Sequence, residues 1–372
     1  MARDHLKIGF VRRGYSRSGG AEAYLKRLAR GLSSLGHEAQ LITTSEWPED
    51  EDFSAIARIA GSTPAQFADG VDVLRQRGGC DVIMSLERVW ACDVMRAGDG
   101  VHAAWLERRG GVFAQFRTKL NPKHRSILRL EQALYARRGA SRVIANSEMV
   151  KREIISTYGY PAERIDVVYN GLPLEQFWST AEQRAQSRAE FRLADEDLAV
   201  LFVGSGWERK GLAVALTAIE KLDQRRLRLL VAGKGNLRKY RSGYAEFLGE
   251  VADVASLYRA GDIFVLPTAY DPFSNACLEA FASGLPVITT RNNGFAEVIE
   301  HGVHGSIVEG NPDAVGDAIT YWSSAERRSS ARGLILERAA RFDITRNVEQ
   351  TLEVLLHSAA SAASTSGNIR KT

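Results

Sequence analysis

The most constraining feature of the chain is an alternation. Strand-length apolar runs are separated by segments whose apolar residues recur at helical spacing. In the first part the runs fall at 6–11, 39–43, 81–84, 142–145 and 165–168. They resume at 199–203, 227–232, 246–248, 263–266, 287–289 and 306–308. Short runs that are apolar throughout read as strands buried on both faces, and helices between them supply the crossovers of a parallel sheet. Helical signals fit the gaps. Leu25, Leu28, Ala29 and Leu32 share one face of a segment that stops at Gly36, and Ser147 opens a helix that Gly159 and Pro161 close.

The 372 residues exceed one domain of roughly 150 and suit two. The alternation pauses in a polar stretch after Asn170-Gly171-Leu172-Pro173 and restarts near Asp197. The expected boundaries are therefore a first domain over 1–170 and a second over 171–345, with a helix at about 346–358 returning to the first and a disordered Ala/Ser/Gly tail over 359–372. Helices are expected at 211–221, 254–260, 275–282 and 312–323 in the second domain. The fold class is α/β, two Rossmann-like, doubly wound domains facing across a cleft, with ligands at strand C-terminal ends.

Composition removes several function classes. No stretch of about 18 residues is free of charge, and the first residues lack the apolar core of an export signal, so a cytoplasmic protein is expected. Cys80, Cys92 and Cys277 are odd in number and widely spaced, which encodes neither a disulfide framework nor a zinc cage. His301 and His304 sit in a glycine-flanked turn, and no metal is assigned to them. The first strand is not followed by the glycine fingerprint of a nicotinamide-dependent oxidoreductase, and no RRM, zinc-finger or helix-turn-helix pattern supports nucleic-acid binding.

Charge is uneven. Residues 103–142 hold ten Lys and Arg against Glu107 and Glu131. Among them Arg108, Arg109, Arg117, Lys119, Lys123 and Arg125 interleave with Phe113, Phe116, Leu120, Ile127 and Leu130, as in an interfacial segment facing an anionic membrane surface. A solvated helix face is the alternative.

Three segments could carry chemistry. Gly19 and Gly20 open the first helix, where amides can meet an anion. Gly204-Ser205-Gly206 ends a strand, and Arg209 and Lys210 follow at a helix start, where two cations suit a diphosphate. The sharpest is 266–288. It runs from a strand into a loop bearing Asp271, then a helix start at Phe273, Ser274 and Asn275, then Glu279 inside an otherwise apolar run. Amides over 273–276 would meet a phosphate, and Glu279 would accept bonds from ribose hydroxyls.

The run from Asp271 to Gly284 resembles the acid, seven residues, acid signature of family 4 retaining glycosyltransferases of the GT-B fold, with Asp271 where the family usually has Glu. Two more blocks agree: 143–147 leading to 167–171 is similar to the family's hinge approach, and 204–211 to its diphosphate site. Within the family the chain is most similar to enzymes that add glucose to lipopolysaccharide inner-core heptose. The resemblance implies that Arg209 and Lys210 hold the diphosphate, Glu279 the ribose and Asp271 a donor-sugar hydroxyl, with Gly19 and Gly20 lining the cleft. Asp99 and His102 match a position near the reacting carbon. The implied partners are a nucleotide-sugar donor, UDP-glucose foremost, a lipopolysaccharide core or other glycolipid acceptor, and the inner face of the cytoplasmic membrane, without nucleic acid or cofactor. GDP-mannose or UDP-N-acetylhexosamine donors with other acceptors remain open. The chain departs from the family in a short 233–244 connection beside the usual nucleobase pocket.

Overall fold

The computed structural model describes residues 5–16, 20–109 and 121–369. The chain forms two compact units. One comprises Met1–Asn170 with Ile344–Thr372, the other Gly171–Asp343.

The first unit is built on seven parallel strands: β1 (Lys7–Val11), β2 (Glu38–Thr43), β3 (Ala55–Arg58), β4 (Val82–Ser85), β5 (Cys92–Ala97), β6 (Ala140–Ala145) and β7 (Ile165–Val167), in the order β3-β2-β1-β4-β5-β6-β7. Its helices are α1 (Gly20–Ser34), α2 (Pro64–Arg77), α3 (His102–Arg108), α4 (Pro122–Glu131) and α5 (Glu148–Tyr158). The second unit has six parallel strands: β8 (Leu198–Val203), β9 (Leu227–Ala232), β10 (Ala245–Gly249), β11 (Ile263–Leu266), β12 (Val287–Thr290) and β13 (Gly305–Val308). Their order is β10-β9-β8-β11-β12-β13. Its helices are α6 (Ala181–Glu190), α7 (Trp207–Lys210), α8 (Leu212–Leu222), α9 (Val254–Ala260), α10 (Asn275–Ala282), α11 (Pro312–Trp322) and α12 (Ala325–Ala339). Helix α13 (Ile344–Ile369) returns to the first unit.

Both sheets start in the middle and grow outward in each direction, the doubly wound order. The reversal lies between β1 and β4 in one unit and between β8 and β11 in the other. Loops leaving adjacent strands there diverge to opposite faces and leave a crevice at the strand C-terminal ends. Residues after β8 and β11 therefore share one crevice, which positions the candidate site.

Local signals act as the sequence dictates in several places. Ser147 caps α5 by accepting the Val150 amide at 3.2 Å, and Gly159 closes it in the left-handed conformation. Gly36, with φ of +87°, ends the turn after α1.

Several elements differ from the sequence expectation. Strand β5 was not expected, because Asp93 and Arg96 interrupt its apolar character. Asp93 Oδ2 accepts the Ile83 amide at 2.7 Å. Edge strand β3 and helix α2 also lacked a clear apolar run. The polar stretch before Asp197 contains α6, started by a Thr180–Gln183 capping box. Finally, residues 359–369, expected as tail, continue α13. Ala359, Ala360, Ala362 and Ala363 favour helix, and no glycine intervenes before Gly367. Against α1 this helix packs closely at Gly31, where a Cβ would lie 2.5 Å from Val348.

Candidate functional site

In the second unit, β8 is followed by Gly204, whose φ of +143° favours glycine. The next turn brings Lys210 back across it: a Cβ at Gly204 would lie 3.1 Å from Lys210 Cδ and Cε. Arg209 and Lys210 close the one-turn helix α7 rather than opening the longer α8 as expected. Gly211, at φ of +81°, separates the two, and a side chain there would meet the Pro267 carbonyl oxygen at 2.1 Å. The two cations thus sit at a helix C-terminus, where the dipole favours them.

Across the crevice, the loop after β11 brings Asp271 to them. Lys210 Nζ donates to Asp271 Oδ2 at 2.9 Å, and Arg209 Nη1 lies 3.7 Å from the same oxygen. Arg209 Nη1 also donates to the Tyr270 carbonyl at 2.6 Å. The Asp271 side chain is 8% exposed and that of Lys210 12%, whereas Arg209 is 37% exposed and open to a ligand. Ser205 is exposed, and its Oγ accepts the Lys234 amide at 3.0 Å.

The start of α10 is organised by Asn293, a buried residue that sequence reasoning missed. Its Oδ1 accepts the amides of Ser274 at 3.3 Å and Phe295 at 3.0 Å, while its Nδ2 donates to Thr289 Oγ1 at 3.0 Å. Ser274 caps the helix through the Cys277 amide. The Ser274 amide is therefore engaged inside the protein, against the expectation that every amide over 273–276 faces a phosphate. Phe273 is buried against Phe295, and Asn275 is half-buried at the helix start. Glu279 is half-buried and accepts the Tyr258 hydroxyl at 2.9 Å. Burial and this carboxylate raise the Tyr258 hydroxyl well above its ordinary pKa. Tyr258 gave no signal in sequence because it reads as an ordinary core position of α9.

The first unit holds Asp99 and His102 in a second cluster. Asp99 is half-exposed, with Arg12 Nη1 at 3.6 Å and Arg88 Nη1 at 3.9 Å. The His102 amide donates to Glu131 Oε1 at 2.7 Å, and its Nε2 lies 3.0 Å from His124 Nδ1. Burial, with Arg88 nearby, pushes the His102 pKa down to about 4. The fully buried Glu131 also takes Arg88 Nε at 2.8 Å, the Ala103 amide at 3.2 Å and the Tyr158 hydroxyl at 2.7 Å. It fixes the start of α3 and so the place of His102. Glu131, Arg12, Arg88 and His124 were missed, because the contacts that define them span 22 to 43 residues or, between Arg12 and Asp99, 87.

Gly20 is the first residue of α1, while Gly19, Arg117 and Lys119 lie outside the described residues, as do Phe113, Phe116 and Leu120. Of the remaining basic segment, Lys123 and Arg125 are exposed on α4, Arg109 lies over the Trp105 ring, and Arg108 is paired with Glu153 at 2.6 Å. Leu130 is fully buried, so it belongs to the core rather than to an outward apolar face. His301 and His304 cap turns, accepting the amides of Ile307 and Glu300. Among the described residues no helix is long and apolar enough to cross a membrane.

The pair of doubly wound units is the architecture of GT-B proteins. The family described as Glycosyltransferase Family 4 matches residues 18–176, and that described as Glycosyl transferases group 1 matches 197–324. Together the two matches mark the chain as a glycosyltransferase. An uncharacterised glycosyltransferase of Methanocaldococcus jannaschii is 26% identical over 338 residues, covering 80% of this chain and 83% of that protein. The D-inositol 3-phosphate glycosyltransferase of Pseudarthrobacter chlorophenolicus is 34% identical over 191 residues, 46% of this chain and 45% of its own. In fold, the chain is similar to WaaG, a glycosyltransferase involved in lipopolysaccharide biosynthesis, with a TM-score of 0.82, 20% identity, and coverage of 94% of this chain and 99% of that one. It is also similar to Anabaena HepE in complex with UDP and glucose, with a TM-score of 0.72, 21% identity and the same coverages.

Proposed function

We propose that the protein is a retaining, metal-independent hexosyltransferase that moves glucose from UDP-glucose to a lipopolysaccharide inner-core heptose or a similar cell-envelope glycolipid. The observation that carries the reading is the cluster of Arg209 and Lys210 at the switch-point crevice of the second unit, with Asp271 against both. In this reading the second unit binds the donor, the first binds the acceptor, and Asp99 and His102 of the first are catalytic. The bond from sugar C1 to the diphosphate oxygen breaks with its electron pair leaving on UDP. The acceptor oxygen bonds to C1 on the same face, and its proton passes to the departing phosphate. Arg209 and Lys210 stabilise the charge that develops on the diphosphate, the largest contribution such a site makes. Asp271 holds a sugar hydroxyl, Glu279 the ribose, and the amides beside Gly204 line the donor. Ser205 and the start of α10 at Phe273 and Asn275 flank it.

WaaG supports the acceptor class by its fold and by its involvement in lipopolysaccharide biosynthesis, and HepE supports a UDP-linked glucose by what it binds. Transfer from GDP-mannose or UDP-N-acetylhexosamine is the competing reading. The deciding experiment measures donor hydrolysis and thermal stabilisation across UDP-, GDP- and ADP-sugars with EDTA present, for wild type and Glu279→Ala. Stabilisation by a UDP-sugar that the variant loses supports the proposal. Response to no nucleotide sugar, or only on adding a divalent cation, refutes it.

A further inference from the structure

Strand β5 carries a cation with no task in the site above. Arg96 is 2% exposed and lies on the same face of the strand as Val94, in the layer that α1 and α13 cover. Its guanidinium carbon is 4.2 Å from the Tyr24 ring centroid, and Nη2 donates to Asn170 Oδ1 at 2.6 Å. Nη1 is buried without an acceptor, and among the described residues no carboxylate pairs with it. Burial holds its pKa below the usual arginine value. A buried cation without a counter-charge opposes folding, so a side chain of this kind in an apolar layer needs a reason to be there.

Its hydrogen-bond partner among the described residues supplies the reason. Asn170 is the last residue of the first unit before the chain crosses to the second. The carbonyl of the preceding Tyr169 accepts Asn347 Nδ2 at 2.5 Å, from the first turn of α13, where the chain has just returned. Beyond these contacts the outgoing and returning segments pair with each other: the Leu172 amide donates to the Phe342 carbonyl at 3.0 Å, and Leu172 bridges Asp343. Arg96 also stands three residues before Asp99, at the strand end that delivers it.

We propose that Arg96 is a positioning residue for glycosyl transfer: through Asn170 it fixes the direction in which the chain leaves the first unit, and it ties that exit to the strand end carrying Asp99. The proposal rests on the transferase reading for its kinetic consequence but not for its structural one.

The test compares Arg96→Met, Asn170→Ala and the double variant with wild type. Each is assayed for thermal midpoint, for kcat and KM with the nucleotide sugar that wild type turns over, and for hydrogen exchange at the Leu172 amide. Expected for Arg96→Met are a thermal midpoint near wild type, kcat lower by about tenfold, donor KM within about twofold, and Leu172 exchange at least about tenfold faster. Asn170→Ala should match it, and the double variant should be no slower than the slower single, since both remove one contact. Wild-type kcat per folded molecule, unchanged Leu172 exchange, or effects that multiply in the double variant would each overturn the proposal. If wild type turns over no nucleotide sugar, the functional reading fails and Leu172 exchange alone decides the anchor. Should Arg96→Met fail to fold, Asn170→Ala leaves the cation in place and carries the same readouts.

Discussion

Lys210 Nζ stands 2.9 Å from Asp271 Oδ2, both side chains largely buried, so the cation proposed to hold the donor diphosphate is already held by a carboxylate of the same crevice. A diphosphate must compete with Asp271 for that charge, and the pair keeps each ion satisfied meanwhile. Asp271→Asn should therefore tighten UDP binding by roughly 3- to 10-fold, because an opposing charge is removed, while lowering kcat by at least about tenfold through loss of the sugar contact. Calorimetry with UDP and steady-state kinetics check both; weaker UDP binding would remove the competition argument.

Tyr258→Phe isolates one hydrogen bond. The hydroxyl is fully buried and donates to Glu279 Oε2, so its loss leaves the carboxylate less firmly placed for the ribose. A bond to a charged group contributes about 1.5–3 kcal/mol, and the expected result is a donor KM raised by about 5- to 20-fold with kcat within about twofold. A fall in kcat at constant KM would assign Glu279 to the reacting sugar instead.

Stability should fall as pH drops from about 6.5 to about 4. The His102 pKa lies near 4 in the folded protein, against 6.5 as its ordinary value, so in that window the unfolded chain binds the proton and the folded one does not. The contribution is on the order of 2–3 kcal/mol, fully present above the unfolded value and lost as pH falls towards the folded one. Burial lowers His37, His124 and His304 in the same direction. His102→Gln should flatten the pH dependence of the urea midpoint between 4 and 6.5 relative to wild type. Above pH 6 the neutral imidazole should leave no ionisation of His102 in the kcat profile.

Both sheets were legible because their central strands are mainly apolar, β8 and β11 throughout and β1 and β4 but for one residue each, and because several helices end on glycine or start on serine. The elements that escaped, β3, β5 and α6, carry their polar residues inward or at an edge. In β5 the interruption is Arg96 itself, whose meaning depends on Tyr24 and Asn170, 72 and 74 residues away. The donor-site candidates Arg209, Lys210 and Asp271 were legible as turn and loop residues, and the structure brings them together. Asn293, Tyr258 and Glu131 were not, since each is ordinary in its local sequence and acts only through a partner brought near by folding. Gly211 was read as the start of a helix, and the close Pro267 carbonyl that forbids a side chain there is a tertiary fact.

The basic segment is testable through the part of it that α4 displays. Lys123, Arg125 and Arg129 are exposed there, whereas Arg108 is engaged by Glu153. A lysine or arginine at an anionic surface contributes about 1 kcal/mol, so reversing Lys123 and Arg125 to Glu removes about 2 kcal/mol of attraction and adds repulsion. The double variant should lose at least about 30-fold in partitioning onto vesicles containing anionic lipid, with no change on neutral vesicles, and wild-type retention should fade as salt rises and the Debye length shortens. Arg108→Glu, by contrast, should lower the thermal midpoint, because it sets two carboxylates against each other beside α3. Flotation of wild type that ignores both lipid charge and salt would reduce α4 to an ordinary solvated helix.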